Sequence, residues 1–248
     1  MTAAIGLLAL LGGWEALVRL GGVDPLLLPA PTQILQALRE DRALLAPDLW
    51  TTTYEVVLGL AAAVLAGAAL AVAMHLSPAL RRALQPLVIG SQAVPVPVIA
   101  PLVILVLGFG LAPKLLLVAL VCFFPITINL FDGLRAADPD ARRLLSSLQA
   151  TRWQALRLVE APAALPAAFT GLKVAAAVAV IGAVFAEWAG AERGLGHALL
   201  TANGQLESAR AFAATLLLFL LAIALYGACA LLERRVVDWT PRGGSGRP

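Results

Sequence analysis

The sequence predicts an all-α membrane protein with about six transmembrane helices, because it is very apolar and its apolar residues fall into long runs. Of its 248 residues, 60% are hydrophobic and only 13% are charged, and the mean hydropathy is +0.89. A soluble domain carries about 25% charged residues, so a soluble core could not bury this much apolar surface. No basic run is interleaved with stacking aromatic residues, which argues against a nucleic-acid partner.

Six segments are apolar enough to cross a membrane, which takes roughly 20 residues for about 30 Å of hydrocarbon. They are predicted at about residues 3–20, 54–75, 83–107, 114–131, 168–189 and 210–232. The first lacks a basic start and a clear cleavage site, so we interpret it as a retained span and not a signal peptide. A Pro-rich turn and a short amphipathic helix near 31–45 follow it. Residues 190–209 are too polar to span and predict a short external re-entrant helix.

The basic residues predict the orientation of the chain, since Lys and Arg are enriched in cytoplasmic loops. One face receives eleven of them: Arg81, Arg82, Arg135, Arg142, Arg143, Arg152, Arg157, Arg234, Arg235, Arg242 and Arg247. The other face receives six: Arg19, Arg39, Arg42, Lys114, Arg193 and Arg210. The first face is therefore predicted to be cytoplasmic, together with both chain termini.

Several classes of function find no support in the residues. Neither lysine follows a glycine as a Walker A motif requires, so this chain holds no nucleotide-binding loop. His75 and His197 do not stand beside a Ser or Asp that would suggest a catalytic dyad. Cys122 and Cys229 lie in apolar runs and predict buried thiols, not a disulfide framework or a metal site.

The longest predicted cytoplasmic segment, residues 132–166, is called the insert. Asp138 is a predicted N-cap, and Leu144, Leu145 and Leu148 share one helical face with Ala141. After a bend near 149–150, Thr151 and Gln154 have capping-box spacing, and Trp153 and Leu156 form an apolar stripe. Pro162 and Pro166 are expected to end this second helix. Two interpretations remain open on physical grounds: a loop packed on its own membrane domain or the lipid surface, or a docking element with Arg152 and Trp153 as anchors.

The run "LQATRWQALRLVEAPAALPAAFTGLKVAAA" resembles the cytoplasmic EAA loop of permease subunits of bacterial ABC importers, which ends in Leu-Pro and docks onto the ATPase. The run "WEALVRLGGVDPLLLPAPTQIL" is similar to the nitrate, sulfonate and taurine permease group. Two later runs, "FFPITINLFDGLRAADPD" and "IGAVFAEWAG", resemble most closely the branch that serves thiamine-precursor pyrimidines and riboflavin.

The resemblance implies the type I importer permease fold, one transmembrane permease domain over residues 1–248, and a coupling helix within the insert. It implies a non-enzymatic translocation subunit in the bacterial cytoplasmic membrane. The chain would form a homodimer, ATP and magnesium would be bound by partner ATPase subunits, and an extracytoplasmic binding protein would deliver the solute. A thiamine-precursor pyrimidine is favoured over nitrate, taurine, aliphatic sulfonates or riboflavin, and a gradient-driven secondary transporter is the alternative from another class.

The residues implied in ATPase coupling are Asp138, Arg142, Leu145, Leu148, Gln149, Ala150, Thr151, Arg152 and Trp153.

Two departures from the family pattern concern the insert. The namesake Glu-Ala-Ala would fall at Arg143, Leu144 and Leu145, and is absent. The glycine that usually forms the bend is replaced by Gln149. A non-glycine residue in a left-handed conformation costs roughly 1 kcal/mol, so either the bend has another geometry or the chain tolerates the strain.

The translocation path is predicted where proline breaks the third span and polar residues enter the third, fourth and fifth. The predicted path residues are Ser91, Gln92, Pro95, Pro97, Thr127, Asn129, Glu187 and Trp188. Broken helices at membrane depth are tolerated where they face protein or a water-filled cavity. Ordinary interhelical hydrogen bonding is the alternative for the polar groups. Trp188 alone would be an interface anchor, and together with Glu187 it would form an outer gate or meet the binding protein.

Overall fold

The computed structural model describes the backbone of residues 2–238 and the side chains of residues 5–238. Arg242 and Arg247, which entered the orientation count, lie outside the described residues. Within this range the helices and the loops between them contain no strand, which confirms the predicted all-α fold class. The elements are α1 Thr2–Leu20, α2 Pro31–Glu40, α3 Arg42–Leu76, α4 Pro78–Gly90, α5 Val96–Leu107, α6 Leu111–Arg135, α7 Pro139–Ser147, α8 Arg152–Ala155, α9 Ala161–Gly190, α10 Leu195–Gly204 and α11 Ser208–Val236. A short 3₁₀ helix, Ser91–Ala93, follows α4, and a π-helical turn, Leu156–Glu160, joins α8 to α9.

Helices occupy all six positions where spans were predicted. Among the described residues, four helical stretches are long and apolar enough to cross a membrane: Arg42–Leu76, Leu111–Arg135, Arg152–Gly190 and Ser208–Val236. The broken pair Pro78–Ala93 and Val96–Leu107 passes the same test as one span, which gives five. The first predicted span coincides with α1, and the predicted external segment contains α10.

The third predicted span is two helices, as its prolines suggest. α4 passes into the 3₁₀ turn, Val94 is extended, and α5 begins at Val96. Pro97 therefore lies in the first turn of α5, where the backbone N–H that proline lacks would have no helical partner. Pro101 lies inside α5. The break between α4 and α5 therefore lies at prolines, which have no backbone N–H to donate to a helix.

The expectation that Pro162 and Pro166 end the second helix of the insert is wrong. The helix is continuous from Arg152 to Gly190, and both prolines lie within it. The π-helical turn directly precedes Pro162, and the Ala161 N–H bonds the Leu156 carbonyl across the wider loop. A π turn interrupts the α-helical ladder of hydrogen bonds just before a residue with no N–H to offer, so the helix passes the proline without ending.

The chain forms two compact units. The first comprises residues 2–59, 96–118 and 180–221, and the second comprises residues 60–95, 119–179 and 222–238. The prediction of one permease domain stays a prediction. In the first unit a core cluster is formed by Ala100, Leu117 and Ala186. In the second unit the core clusters are Ala71, Met74 and Phe131, and Leu134, Leu156 and Ala164.

In the second unit, α6 and α9 approach each other through small residues. A Cβ atom on Gly171 would lie 2.5 Å from the Pro125 carbonyl oxygen and 2.9 Å from the Asn129 Cβ. A Cβ atom on Gly133 would lie 2.8 Å from the Ala167 Cβ. Small residues let membrane helices pack backbone to backbone, so neither glycine leaves space for a larger side chain.

We predict that Gly171→Val lowers the melting temperature of the purified protein in detergent by several degrees. Valine would overlap the α6 backbone, and overpacking typically costs about 1–3 kcal/mol. Gly227→Val in α11 is the matched control, because a Cβ atom there meets nothing within 4 Å. Equal melting temperatures for the two variants would contradict the close contact between α6 and α9.

Candidate functional site

The insert begins with a capped helix. The Asp138 carboxylate oxygen Oδ1 accepts a hydrogen bond from the Asp140 N–H at 2.9 Å, as predicted for an N-cap. Asp140 also forms an ion pair with Arg143 at 2.9 Å on the exposed surface. Acidic groups at a helix N-terminus satisfy free N–H donors and complement the helix dipole. The start of α7 is therefore fixed by local chemistry.

The bend is left-handed at Gln149, the position where the resemblance implies a glycine. Gln149 has a φ of 57°, in the left-handed region. Its N–H bonds the Ser146 carbonyl at 3.0 Å, and the Ala150 N–H bonds the Leu145 carbonyl at 3.0 Å. These two bonds form a Schellman motif, in which the left-handed residue normally is glycine. The bend therefore does not use another geometry: the chain tolerates the strain of a left-handed Gln149, which amounts to about 1–2 kcal/mol.

The second helix of the insert opens with the predicted capping box. The Gln154 N–H donates to Thr151 Oγ1 at 3.3 Å, and the Thr151 N–H donates to Gln154 Oε1 at 2.7 Å. Each side chain thus satisfies a backbone donor that the first turn leaves free. Both halves of the insert start at caps that the sequence predicted.

Apolar side chains project from the insert into solvent. Leu144, Leu148 and Trp153 have exposed fractions of 62%, 69% and 61%, while Leu145 is half-buried. Leu156, predicted to share a stripe with Trp153, is instead buried in the second unit's core. An exposed group of large apolar residues marks a surface that another molecule covers, and tryptophan is common among binding anchors. This geometry suits docking.

Two arginines predicted to face the partner also cap membrane helices. Arg142 Nη2 donates to the carbonyls of Leu134 at 2.7 Å and Arg135 at 3.0 Å, at the end of α6. Arg152 Nη1 donates to the Leu76 carbonyl at 3.0 Å, at the end of α3. The last carbonyls of a helix have no partner within it, and cations there complement the helix dipole. The insert is thereby fastened to two membrane helices of its own unit.

Glu160 holds the insert to α3 and was not singled out from the sequence. It is buried, with an oxygen 2.7 Å from His75 Nε2 and the other 2.8 Å from Arg142 Nε. His75 lies near the end of α3, 85 residues away. The only sequence signal was a glutamate in the otherwise apolar run before Pro162, and nothing local connects it to His75.

The predicted path residues fall in several environments. Gln92, Pro95 and Pro97 are exposed around the break. Ser91 and Asn129 bond to nearby backbone: Ser91 Oγ donates to the Val88 carbonyl, and Asn129 Nδ2 donates to the Pro125 carbonyl at 2.8 Å. Thr127 is fully buried against Gly67. Their part in translocation stays a prediction.

Glu187 and Trp188 support the start of α10. The Glu187 carboxylate is buried and accepts hydrogen bonds from Thr52 Oγ1 at 2.7 Å and from the Gly196 N–H at 2.5 Å. The Leu195 N–H donates to Thr52 Oγ1 at 2.8 Å. Trp188 Nε1 donates to the Gly196 carbonyl at 2.9 Å. Gly194, at the N-cap, brings no side chain, so α3 and α9 supply the cap. A gate at this position stays a prediction.

Comparison with known proteins supplies the context for this geometry. Residues 59–238 match the family described as binding-protein-dependent transport system inner membrane component. The chain is 34% identical to the formylaminopyrimidine transport permease protein ThiX of Halalkalibacterium halodurans, covering 91% of this chain and 90% of that protein. It is 37% identical to the riboflavin transport system permease protein RibX of Chloroflexus aurantiacus, covering 95% and 88%.

A solved structure supports the fold. The chain resembles a chain in the crystal structure of an amino acid ABC transporter with histidines, with a TM-score of 0.64 and 17% identity. The likeness covers 81% of this chain and 97% of the other. At this identity the comparison bears on the fold alone, and it agrees with the predicted importer-permease architecture.

We predict that Gln149→Gly stabilises the bend, because glycine adopts a left-handed φ without the cost of about 1–2 kcal/mol. Hydrogen exchange of the Ala150 amide, which closes the Schellman motif, should slow about fivefold or more. The matched control is Gln205→Gly at the end of α10, where φ is −92° and glycine relieves no strain. Faster exchange at Ala150 in the Gln149→Gly variant would contradict the strained bend.

Proposed function

We propose that this chain, which belongs to the family of binding-protein-dependent transport system inner membrane components, moves a small polar solute across the bacterial inner membrane by alternating access. It is the permease subunit of an ABC importer and a multi-pass membrane protein. The observation that carries the mechanism is the insert, which presents exposed Leu148 and Trp153 on a backbone that arginine hydrogen bonds fasten to the ends of α6 and α3.

The insert is proposed to dock onto a cytoplasmic ATPase. Leu144, Leu148 and Trp153 would enter apolar depressions of that partner. The helix from Arg152 to Gly190 is unbroken, so a displacement of its first turn passes along one rigid element into the membrane. Arg142, Arg152 and Glu160 would carry the same displacement to α6 and α3. ATP binding and hydrolysis on the partner would thus alternate the access of the path.

The assembly is proposed to contain two copies of this chain, two ATPase subunits that hold ATP and magnesium, and an extracytoplasmic binding protein. The insert and both termini would lie on the cytoplasmic side, which the arginines of the insert and of the C-terminal segment support. The predicted path residues would line the route between the two copies. This chain would carry out no chemical step of its own.

The favoured solute is a thiamine-precursor pyrimidine. The runs in α6 and α9 that resemble that branch support this choice, as does the similarity to a formylaminopyrimidine permease. The riboflavin permease relative supports riboflavin as the next candidate, and taurine, aliphatic sulfonates and nitrate follow.

ATP-dependent uptake by the permease, its ATPase and its binding protein in proteoliposomes tests the proposal, and uptake driven by an ion gradient without the ATPase would contradict it.

Docking is tested with the double variant Leu148→Ala and Trp153→Ala, which should lose co-purification with the ATPase. Interface anchors of this kind contribute about 2 kcal/mol or more each, so affinity should fall at least about a hundredfold. The control is Trp50→Ala with Leu65→Ala, which removes an equally exposed pair from α3. Retention of the ATPase by the first variant, measured by affinity capture at equal membrane levels, would refute the docking surface.

Coupling is tested with Glu160→Gln, which keeps the size of the side chain and removes its charge. The ATPase should still bind, since Leu148 and Trp153 are unchanged. Transport per ATP hydrolysed should fall about tenfold, because hydrogen bonds to charged groups contribute about 1.5–3 kcal/mol. Exposed Glu40→Gln in α2 is the control. Normal transport stoichiometry in the Glu160→Gln variant would show that the link to His75 and Arg142 is dispensable.

A further inference from the structure

A small cavity lies in the second unit, where α3 ends and α4 begins. Its volume is about 280 Å³, and it is lined by His75, Leu76, Pro78, Arg152, Ala155 and Glu160. Leu76 is the last residue of a helix that is long and apolar enough to cross a membrane, so the cavity lies at one edge of the membrane. Clefts for drug-sized ligands measure about 300–1,000 Å³. This cavity therefore has room for a chemical group of headgroup size and not for a larger ligand.

The charges around the cavity favour an anion. Arg152 Nη1 donates to the Leu76 carbonyl, and a guanidinium has five N–H donors, so Arg152 keeps donors for a ligand. Glu160 is the one carboxylate among the residues that line the cavity. Its two oxygens lie 2.7 Å from His75 Nε2 and 2.8 Å from Arg142 Nε. Arg142 thus offsets the charge of Glu160, and Arg152 remains to attract an anion.

Two further arginines, in α4, reach toward the same cavity. Pro78 lines the cavity and is the first residue of α4, and Arg81 and Arg82 follow three and four residues later. Residues at these spacings share one face of a helix, and helical side chains point back toward the N-terminus of the helix. Arg82 is exposed and Arg81 is half-buried. Both guanidinium groups can therefore extend to an anion held by Arg152.

Exposed leucines beside these arginines favour a lipid as the source of the anion. Leu80 and Leu87 are 43% and 67% exposed, and their spacing of seven residues puts them on one face of α4. Leucines at a membrane edge contact acyl chains, while the long arginine side chains reach the headgroups. A soluble anion would gain nothing from the leucines. Basic pockets between membrane helices are binding sites for anionic headgroups.

We propose that the cavity binds the phosphate of an anionic phospholipid whose acyl chains lie along Leu80 and Leu87. Arg152 donates to the phosphate oxygens, and Arg81 and Arg82 neutralise the charge of the headgroup. The lipid joins the end of α3 and the start of α4 to the first turn of the helix that begins at Arg152, because residues of all three line the cavity. Neither the identity of the transported solute nor the docking of the ATPase enters into this binding.

Lipid binding is measured by native mass spectrometry of the full-length chain, delipidated in detergent and titrated with phosphatidylglycerol or phosphatidylcholine. Both lipids carry a phosphate, but only phosphatidylglycerol has a net negative charge. We expect phosphatidylglycerol to bind more tightly than phosphatidylcholine. The double variant Arg81→Gln and Arg82→Gln should weaken phosphatidylglycerol binding about 25-fold, since each arginine near an anionic headgroup contributes about fivefold.

The matched control is Arg234→Gln with Arg235→Gln, which removes two adjacent exposed arginines from the end of α11, outside the cavity lining. This control should bind as the unaltered protein does. Because Arg82 is exposed, Arg82→Gln alone keeps the fold and should weaken binding about fivefold. Equal binding of the two lipids, unchanged binding by the Arg81 and Arg82 variant, or an equal loss in the control would overturn the site. Displacement of the lipid by millimolar inorganic phosphate would reveal a site for free anions and reject the lipid.

Discussion

The structure depends on one constraint: in so apolar a chain, polar groups at the ends of helices must find partners within the protein. Each helix end leaves several backbone groups free, and those that packing shields from water need a partner in the protein. Arg142 and Arg152 serve the last carbonyls of α6 and α3. Glu187 and Thr52 serve the first N–H groups of α10. Arg142, Arg152 and Glu187 are thus charged residues with a structural role.

The same constraint shapes the proposed docking surface. Because Arg142 and Arg152 are committed to helix ends, the backbone of the insert is held in place from both sides of its bend. Leu148 and Trp153 are then left outside, without apolar neighbours to cover them. The fixed flanks also explain how Gln149 keeps a left-handed conformation, since local strain persists where the surrounding contacts determine the backbone. The Schellman motif thus forms with glutamine at a position that normally takes glycine.

Two buried glutamates differ in how completely they are satisfied. Glu160 has an oxygen for each of its neighbours, His75 and Arg142, and both are within 2.8 Å. Glu55 has one oxygen bound to Lys114 and one without a partner among the residues described. Both glutamates join helices: Glu160 links the insert to α3 in the second unit, and Glu55 links α3 to α6 in the first. A partner of opposite charge offsets part of the cost of burying each group.

The sequence by itself determined the helical class, the positions of the apolar helices, the caps at Asp138 and Thr151, and the break at Pro95 and Pro97. These features depend on composition or on contacts within one helical turn, which lie next to each other in the sequence. Only the tertiary structure decided that Pro162 lies inside a continuous helix, since a π-helical turn before it accommodates the proline's lack of a backbone N–H. It also paired Glu160 with His75 and Glu55 with Lys114, at separations of 85 and 59 residues. Such pairs depend on how helices pack, and no local pattern specifies that packing.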